Sequence, residues 1–383
     1  MAGLYIHIPF CASRCIYCGF YSTTLLDLRQ QYVDALCREM EMRPHASSGK
    51  SAENTVLGDF VAEPISTIYL GGGTPSQLTI PQLRQLFIYI NKVYHLTGGL
   101  SPCEVTIEVN PDDATPEYAA ELQRLGINRV SMGAQTFDDQ RLRFLHRRHT
   151  AAQVREAVDI LRKAGIRNIS IDLMYGFPNE RVTDFEYDID AALALNVEHI
   201  SAYCLMIEEG TPLHRMGIEA CDEETERAMY ELLIDKLTAA GYEHYEISNF
   251  ARHGFRSRHN SSYWQDTPYI GLGAAAHSYI ENRRQWNISD IRQYITAINE
   301  GHIPCESELL DPDTHYNDRI ATALRTSDGL DLTTLSDRHR RYCLQEAQPF
   351  IRDGLLRLTD NRLVLTHRGL FVSDMIMSAL VWV

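Results

Sequence analysis

The sequence predicts an α/β fold, a partial (β/α)6 barrel followed by a smaller α+β region at the C-terminal end. Two observations carry this prediction. Short runs rich in β-branched residues alternate with longer stretches of helical period from residue 4 to residue 240. Beyond about residue 290 the period changes, and two alternating runs flank a polar pair near the end of the chain. Alternation of the first kind is typical of a parallel sheet whose strands are joined by helices.

The predicted elements follow a regular order. The strands cover residues 4–9, 65–70, 104–109, 129–133, 168–174 and 199–205. The helices cover residues 28–43, 81–94, 116–125, 151–164, 182–195 and 225–240. Thr115 and Pro116 are typical of a helix start, and Gly126, Gly165 and Gly241 stand where helices are expected to stop. We expect residues 45–63 to form a surface excursion.

The C-terminal region reads as a winged-helix-like α+β domain. Helices are predicted over residues 311–324 and 332–341. The runs 355–359 and 362–366 flank Asp360 and Asn361, a pattern typical of a β-hairpin, and an apolar closing helix is expected over residues 369–383. The predicted domains are a barrel of residues 1–245, a connecting region of residues 246–300 and a winged-helix-like domain of residues 301–383. Winged helices often bind DNA, but a fold does not fix a function.

Composition limits the classes of partner. The formal charge of -15 argues against nucleic acid, because the basic runs 141–149 and 252–259 are short. The N-terminus lacks the regions of a secretory signal, and no apolar stretch reaches the length of a membrane span, so no stable membrane insertion is expected. Nine cysteines, an odd number, argue against a disulfide framework. These features predict a protein of the reducing cytoplasm.

Cys11, Cys15 and Cys18 form a C-x3-C-x2-C motif directly after the first predicted strand. This spacing places three thiolates on one short loop, one ligand short of a closed four-coordinate site. A [4Fe-4S] cluster held by three cysteines keeps one iron free to bind a small molecule. A zinc site with His7 as the fourth ligand is the alternative, but zinc sites usually have a second ligand pair farther along the chain. The motif therefore predicts an open iron–sulfur cluster.

Polar or glycine residues follow most of the other predicted strands. Gly71–Gly73 come after the second strand, Glu108 ends the third, Gln135 follows the fourth and Asp172 lies in the fifth. Parallel barrels place their sites at the C-terminal ends of the strands. We therefore expect these residues to meet the cysteine loop at one mouth.

The cysteine motif and the run Gly71-Gly-Gly-Thr-Pro resemble the radical S-adenosylmethionine (SAM) superfamily, in the branch related to oxygen-independent coproporphyrinogen oxidase. The resemblance implies a partial radical SAM barrel in which SAM binds the free iron of a [4Fe-4S] cluster. It also implies that the glycine segment contacts the SAM amino group. The residues that match SAM-contacting positions are Tyr5, Gly72, Gly73, Thr74, Glu108, Gln135, Arg147 and Asp172.

Within this family the chain resembles the HemW-type haem chaperones more than the oxidase. The oxidase continues its cluster motif as Cys-x-Cys, whereas Gly19 and Phe20 follow the last cysteine here. The oxidase also carries a long segment before its first strand, whereas only four residues precede Tyr5. Residues 259–264 read His-Asn-Ser-Ser-Tyr-Trp and match the His-Asn-x-x-Tyr-Trp motif associated with haem binding in those proteins.

His259 is the predicted haem ligand, because a neutral imidazole is a common ligand of haem iron and neighbouring aromatic rings supply flat apolar faces. His253 and His277 are alternative ligands, and an ordinary turn whose aromatic pair packs into the core remains open. The candidates for charge-assisted hydrogen bonds to haem propionates are Arg252, Arg256 and Arg258.

The resemblance implies a protein that binds a [4Fe-4S] cluster, SAM and haem, receives electrons from a donor and hands haem to an unidentified acceptor protein. The alternative is an enzyme, a radical SAM oxidase that decarboxylates propionate side chains of coproporphyrinogen III. The residues assign no catalytic group and no specific acceptor. The two hypotheses differ in outcome, because a chaperone binds haem stoichiometrically and an oxidase forms a tetrapyrrole product.

Overall fold

The structure is a computed structural model that describes residues 2–43, 64–94 and 103–383. The predicted surface excursion over residues 45–63 lies outside the described residues. Within those described ranges, every helix is too short or too polar to cross a bilayer. All nine cysteines lie in the described ranges and are free thiols.

Six parallel strands form the central sheet, as the sequence predicts. Their bounds are β1 Ala2–Ile8, β2 Ile65–Gly72, β3 Glu104–Val109, β4 Arg129–Gln135, β5 Asn168–Tyr175 and β6 His199–Cys204. Each strand pairs in parallel with the next along the chain. Parallel neighbours bring all C-terminal strand ends to one edge, so the loops that follow the strands meet there.

Helices cover the outer face of this sheet. Their bounds are α1 Arg29–Met42, α2 Ile80–Tyr94, α3 Pro116–Arg124, α4 Asp139–Phe144, α5 Ala151–Lys163, α6 Val182–Ala194, α7 Pro212–Arg215 and α8 Glu223–Ala239. Thr115 accepts a hydrogen bond from the Tyr118 amide and so caps α3. Gly126, Gly165 and Gly241 have positive φ directly after α3, α5 and α8, which confirms the predicted stops.

Side chains alternate between the two faces of each strand. On β3, Val105, Ile107 and Val109 pack into the core beneath the helices. Glu104, Thr106 and Glu108 take the opposite face and point into the barrel lumen. The same alternation on β4 sends Val130 and Met132 outward and the polar positions of that strand inward. The lumen is therefore lined by polar groups, which makes it a site rather than a second apolar core.

The sheet is wider than the sequence predicts. The additional strands are β7 Glu243–Glu246, β8 Asn249–Ala251, β9 Tyr269–Leu272, β10 His277–Ile280, β11 Arg283–Asn287 and β12 Cys305–Leu309. In the described part of the chain the strand order is β12-β11-β10-β9-β1-β2-β3-β4-β5-β6-β8-β7. Strand β9 pairs in parallel with β1, and β8 pairs antiparallel with β6. Residues predicted to connect two domains thus extend both sides of the sheet.

Two further helices, α9 Arg258–Trp264 and α10 Ile291–Asn299, lie between these added strands. The N–H groups of Arg258 and His259, at the start of α9, donate to the Glu104 carboxylate at 3.0 and 2.9 Å. Glu104 is the first residue of β3. The helix therefore lies at the N-terminal ends of the strands and closes the floor of the lumen.

The C-terminal region contains α11 Pro312–Ala323, β13 Leu330–Asp331, α12 Asp337–Arg352, β14 Leu356–Thr359, β15 Arg362–Leu365, α13 His367–Leu370 and α14 Ser373–Leu380. The predicted hairpin is confirmed, because β14 and β15 pair antiparallel and Asp360 and Asn361 both have positive φ in the turn. Strand β13 adds to β15 and completes a three-stranded sheet.

Two predicted C-terminal helices differ from the observed ones. The helix predicted over residues 332–341 begins at Asp337, where Ser336 accepts from the His339 amide, and runs to Arg352. The closing helix predicted over residues 369–383 is divided into α13 and α14, because α13 ends before Val372, whose backbone φ and ψ are not helical. The division of the chain into residues 1–245, 246–300 and 301–383 stays a prediction.

The C-terminal region contacts the floor helix α9. The Arg325 guanidinium lies 5.5 Å from the centre of the Trp264 ring. His315 of α11 makes a 2.8 Å hydrogen bond with Asp266, two residues after α9. The end of α9 is therefore held between the barrel and the C-terminal helices.

Candidate functional site

A cavity of about 490 Å³ opens at the C-terminal edge of the parallel strands. It extends from the cysteine loop into the barrel lumen. Most of the residues predicted from the sequence line it, and these are Cys11, Cys15, Cys18, Gly72, Gly73, Thr74, Glu108, Gln135, Arg147 and Asp172. Tyr5 and His259 lie below its lining. The structure thus brings the cysteine motif and the polar strand ends together.

The cysteine loop is closed at its base by backbone hydrogen bonds. The Cys11 amide donates to the Thr23 carbonyl at 2.9 Å, and the Thr23 amide donates to the Pro9 carbonyl at 2.7 Å. The thiols of Cys11, Cys15 and Cys18 stay partly exposed above this base. Across the described ranges, no three His, Cys, Asp or Glu side chains are grouped as a metal-ion site. Backbone hydrogen bonds therefore fix the base of the loop, and the thiols face the cavity.

The zinc alternative included His7 as a fourth ligand. The His7 ring shares one hydrogen bond with the Tyr5 hydroxyl at 3.0 Å and another with the Tyr21 carbonyl at 3.2 Å. Burial lowers the pKa of His7 to about 4. The ring is therefore neutral and engaged within the protein.

The glycine segment at the end of β2 packs directly on the cysteine loop. The Gly73 amide donates to the Ile8 carbonyl at 2.9 Å, and the Thr74 amide donates to the Phe10 carbonyl at 2.8 Å. A Cβ atom at Gly73 would lie 2.7 Å from the carbonyl carbon of Pro9 and 2.9 Å from the Phe10 oxygen. Only glycine permits this approach. Contact between the segment and SAM stays a prediction.

Arg147 connects the cysteine loop to the lumen. One terminal nitrogen donates to the Asn110 side-chain oxygen at 2.5 Å and to the Gly133 carbonyl at 2.8 Å. The other terminal nitrogen lies 3.5 Å from the Cys15 sulfur. A fixed positive charge therefore lies beside one of the three thiols. The buried Nε of Arg147 has no hydrogen-bond partner among the described residues, so a donor remains at the cavity wall.

Glu108 and Asp172 place two carboxyl groups in the lumen. Glu108 accepts from the Tyr69 hydroxyl at 2.9 Å and from the Gly72 amide at 3.1 Å. Burial raises the pKa of Glu108 to about 7, against the effect of these two hydrogen bonds. Burial also raises the pKa of Asp172 to about 6, opposed by a hydrogen bond from Ser201. Both groups titrate near neutral pH and suit hydroxyl or amino groups of a ligand.

Gln135 ends β4 at a bulge, where the register with β5 shifts between Gly133 and Gln135. Its φ of 67° lies in the left-handed region. The bulge turns the amide side chain into the cavity wall. An ideal Cβ at Gly133 would lie 2.7 Å from the Gln135 amide nitrogen, so a larger residue there would displace the Gln135 side chain.

Tyr5 lies deeper than the sequence predicts for a residue that contacts SAM. Its hydroxyl is hydrogen-bonded to His7, and its ring is near-parallel to Tyr69 and His259, with ring centres 6.3 and 6.4 Å away. Burial raises the pKa of Tyr5 above its ordinary range. In this arrangement the Tyr5 side chain supports Tyr69, which in turn holds Glu108.

His259 is buried on the floor helix α9 and is 1% exposed. One ring nitrogen is hydrogen-bonded to the Thr67 hydroxyl at 2.8 Å and the other to the Tyr263 hydroxyl at 2.9 Å. Burial lowers the pKa of His259 to about 3. Both ring nitrogens are engaged in this arrangement, and only the neighbouring Asn260 reaches the cavity. Iron ligation by His259 is not tested by these contacts, and it would require one of the two hydrogen bonds to open.

The basic residues near the motif also have partners. Arg252 donates to the Asn196 side chain at 2.7 Å, and Arg256 pairs with Glu243 at 3.0 Å. His253 is exposed and also contacts Glu243, while His277 is exposed on β10. The cavity lining includes none of these residues, which are Arg252, His253, Arg256, His277 and Arg258.

The structure adds lining residues outside the set that matches SAM-contacting positions, among them Asn110 at the end of the third predicted strand. Asn110 anchors Arg147, and Arg129 reaches the cavity from the start of β4. Phe20 and Met206 line the mouth although they are 74% and 68% exposed. Polar residues alternate with apolar ones along β4, and this period-two pattern was the available signal for Arg129.

Comparisons with known proteins identify the family of this chain. A family model for the Radical SAM superfamily matches residues 5–192, and one for the HemN C-terminal domain matches residues 310–372. A protein named heme chaperone HemW from Bacillus subtilis is 32% identical over 99% of this chain and 99% of its own length. The chain belongs to the HemW family of radical SAM proteins.

Other relatives support membership of the HemW family. A heme chaperone HemW from Lactococcus lactis is 34% identical over 95% of this chain and 93% of its own length. The one from Escherichia coli is 32% identical over 73% of this chain and 70% of its own. The solved structure of coproporphyrinogen III oxidase (HemN) from Escherichia coli has the same fold, with a TM-score of 0.82 at 22% identity over 99% of this chain and 90% of that one.

Gly73→Ala tests the close approach of the glycine segment to the cysteine loop. The added methyl group meets fixed backbone atoms of Pro9 and Phe10. We expect the free energy of unfolding to fall by about 1–3 kcal/mol, measured by urea denaturation. Gly19→Ala, in the cysteine loop itself, is the control, because the atoms nearest its Cβ belong to the end of the flexible Glu208 side chain. Equal losses for the two variants would contradict this reading.

Glu108→Gln tests the perturbed carboxyl group. The folded pKa of about 7 lies above the ordinary 4.5, so Glu108 stabilises the fold below about pH 4.5 and this stabilisation is lost as the pH rises through 7. Glutamine does not titrate. We therefore expect the decline in unfolding free energy between about pH 5 and pH 8 to be smaller in the variant by about 2–3 kcal/mol. The exposed Glu117→Gln should keep the wild-type decline, and an unchanged decline in Glu108→Gln would refute the assignment.

Proposed function

We propose that this chain is a haem chaperone that binds a [4Fe-4S] cluster, SAM and haem, and transfers haem to an acceptor protein in the cytoplasm. The observation that carries the proposal is the joint lining of one cavity by the three motif thiols, Arg147 and the glycine segment. Relatives that align over almost the whole chain bear the name heme chaperone. The acceptor and the electron donor are not identified by any residue.

The donor set fits a three-cysteine cluster. Cys11, Cys15 and Cys18 would ligate three irons of such a cluster and leave the fourth iron without a protein ligand from the motif. Arg147 places a positive charge beside the Cys15 sulfur. When bound, such a cluster supplies an electron and an open coordination position. The buried donor of Arg147 and the carboxyls of Glu108 and Asp172 match the carboxylate, amino and hydroxyl groups of SAM.

The mouth of the cavity supports a flat apolar ligand. Phe20, Tyr203 and Met206 expose large apolar surfaces around it. Exposed apolar groups at one mouth are typical of a ligand-binding or docking surface, and aromatic faces stack on a porphyrin. Because these side chains are already exposed, haem contact here requires no rearrangement of the floor helix. We propose the mouth as the place where haem binds.

Cys15→Ser tests the cluster. We expect the variant to lose most of the iron and the brown absorbance that anaerobic reconstitution gives the wild-type protein, because one of three ligands is gone. Cys305→Ser is the control, since Cys305 lies on β12 outside the cavity. Full iron content in Cys15→Ser would contradict the assignment of Cys15 as a cluster ligand.

Anaerobic haemin titration tests the haem site. We expect one-to-one binding by the wild-type protein and at least a tenfold weaker affinity in the double variant Phe20→Ser, Met206→Gln, equivalent to about 1.4 kcal/mol. Met375→Gln, an exposed methionine on α14, is the control. If the wild-type protein instead converts coproporphyrinogen III in the presence of SAM and a reductant, the oxidase alternative replaces this proposal.

Urea denaturation and the same haemin titration, applied to His259→Ala, together test the role of His259. We expect His259→Ala to lower the free energy of unfolding by about 2–4 kcal/mol, because the Thr67 and Tyr263 hydroxyls lose their partner. Haemin affinity of the folded variant should stay close to that of the wild-type protein. Loss of haemin binding without loss of stability would instead establish His259 as the ligand.

A further inference from the structure

Arg129 places a buried cation in the lower part of the lumen. Its side chain is 1% exposed and lines the cavity. Among the described residues its Nε has no hydrogen-bond partner, and no carboxylate oxygen of theirs lies within 4.0 Å of the guanidinium. A buried charge without a partner is costly. The cavity therefore contains an unsatisfied group that favours an anion.

The nearby carboxylates are engaged with other donors. Glu104 accepts the two backbone N–H groups at the start of α9. Glu108 accepts from Tyr69 and from the glycine segment. Asp172 is held by serine hydroxyls of the neighbouring strands. These groups moderate the charge of Arg129 at a distance but do not contact it.

The register of the sheet sets the depth of this group. Arg129 aligns with Thr106 on one side and Asn168 on the other, whereas Gly133 aligns with Asp172. Four residues of strand separate Arg129 from Gly133, or about 13 Å of backbone at 3.3 Å per residue. Arg147, which contacts the cysteine loop, bonds to Gly133. The Cα of Arg129 therefore lies deeper in the lumen than Gly133, which is bonded to the arginine beside the thiols.

We propose that Arg129 binds the carboxylate of an organic anion in this lower lumen, beneath the region that faces the cluster. The guanidinium offers a planar pair of N–H donors that matches a carboxylate. Asn260 lines the cavity with it and supplies a further polar group. A monoanion balances one guanidinium, whereas a phosphate dianion would leave excess negative charge beside Glu108 and Asp172. This site does not depend on haem binding at the mouth.

Thermal unfolding of the full chain with sodium propionate as the probe tests the proposal. We expect about 100 mM propionate, compared with sodium chloride at equal ionic strength and about pH 6, to raise the wild-type Tm by about 1 °C or more. The rise should be absent in Arg129→Met and reduced in Arg129→Lys, which keeps the charge without the fork. Arg141→Met is the control, because Arg141 pairs with Glu180 and Asp184 outside the cavity.

A second arm identifies the source of the carboxylate. Coproporphyrin III and its tetramethyl ester share one macrocycle, but only the acid has carboxyl groups that can ionise. Preferential binding of the acid that disappears in Arg129→Met would assign the site to a porphyrin side chain, and a shift with propionate alone would assign it to a small acid. A larger shift with inorganic phosphate than with propionate would overturn the carboxylate class. If no carboxylate probe shows a dependence on Arg129, the proposal is wrong.

Discussion

Two backbone hydrogen bonds hold the site together, from Gly73 to Ile8 and from Thr74 to Phe10. They continue the parallel pairing of β1 and β2 past the ends of the strands. The cysteine loop and the glycine segment are thereby locked at one height. The other site groups are positioned from this junction, because Glu108 accepts from Gly72 and Arg147 contacts Cys15. A glycine at position 73 is the steric condition for the whole arrangement.

The six parallel strands were predictable because each is a compact apolar run followed by an amphipathic helix. The added strands β7 to β12 gave no comparable signal. Strand β9 contains a glycine, and its partner β1 lies more than 250 residues away in sequence, so no local pattern announces the pairing. Strand β12 is polar and largely exposed at the sheet edge. Such strands form because an existing edge offers unpaired backbone groups, which is a tertiary cause.

The same distinction between local patterns and tertiary causes applies to the site residues. The cysteine motif, the glycine segment and Glu108 were predictable because each directly follows or ends a strand, and parallel topology gathers those ends. His259 illustrates the opposite case. The motif at residues 259–264 can be recognised in the sequence. It does not show at which end of the barrel this segment lies. Glu104 draws the segment to the floor by accepting its first N–H groups, and this contact joins residues that are about 150 positions apart.

The floor helix α9 also contacts the C-terminal region, through Arg325 on Trp264 and His315 on Asp266. Its first turn is bonded to β3 and its last turn is clamped by α11 and the segment after it. The seven residues of α9 therefore bridge β3 and the C-terminal region. A displacement of the C-terminal helices would be transmitted through these contacts to the end of the lumen opposite the edge that carries the thiols.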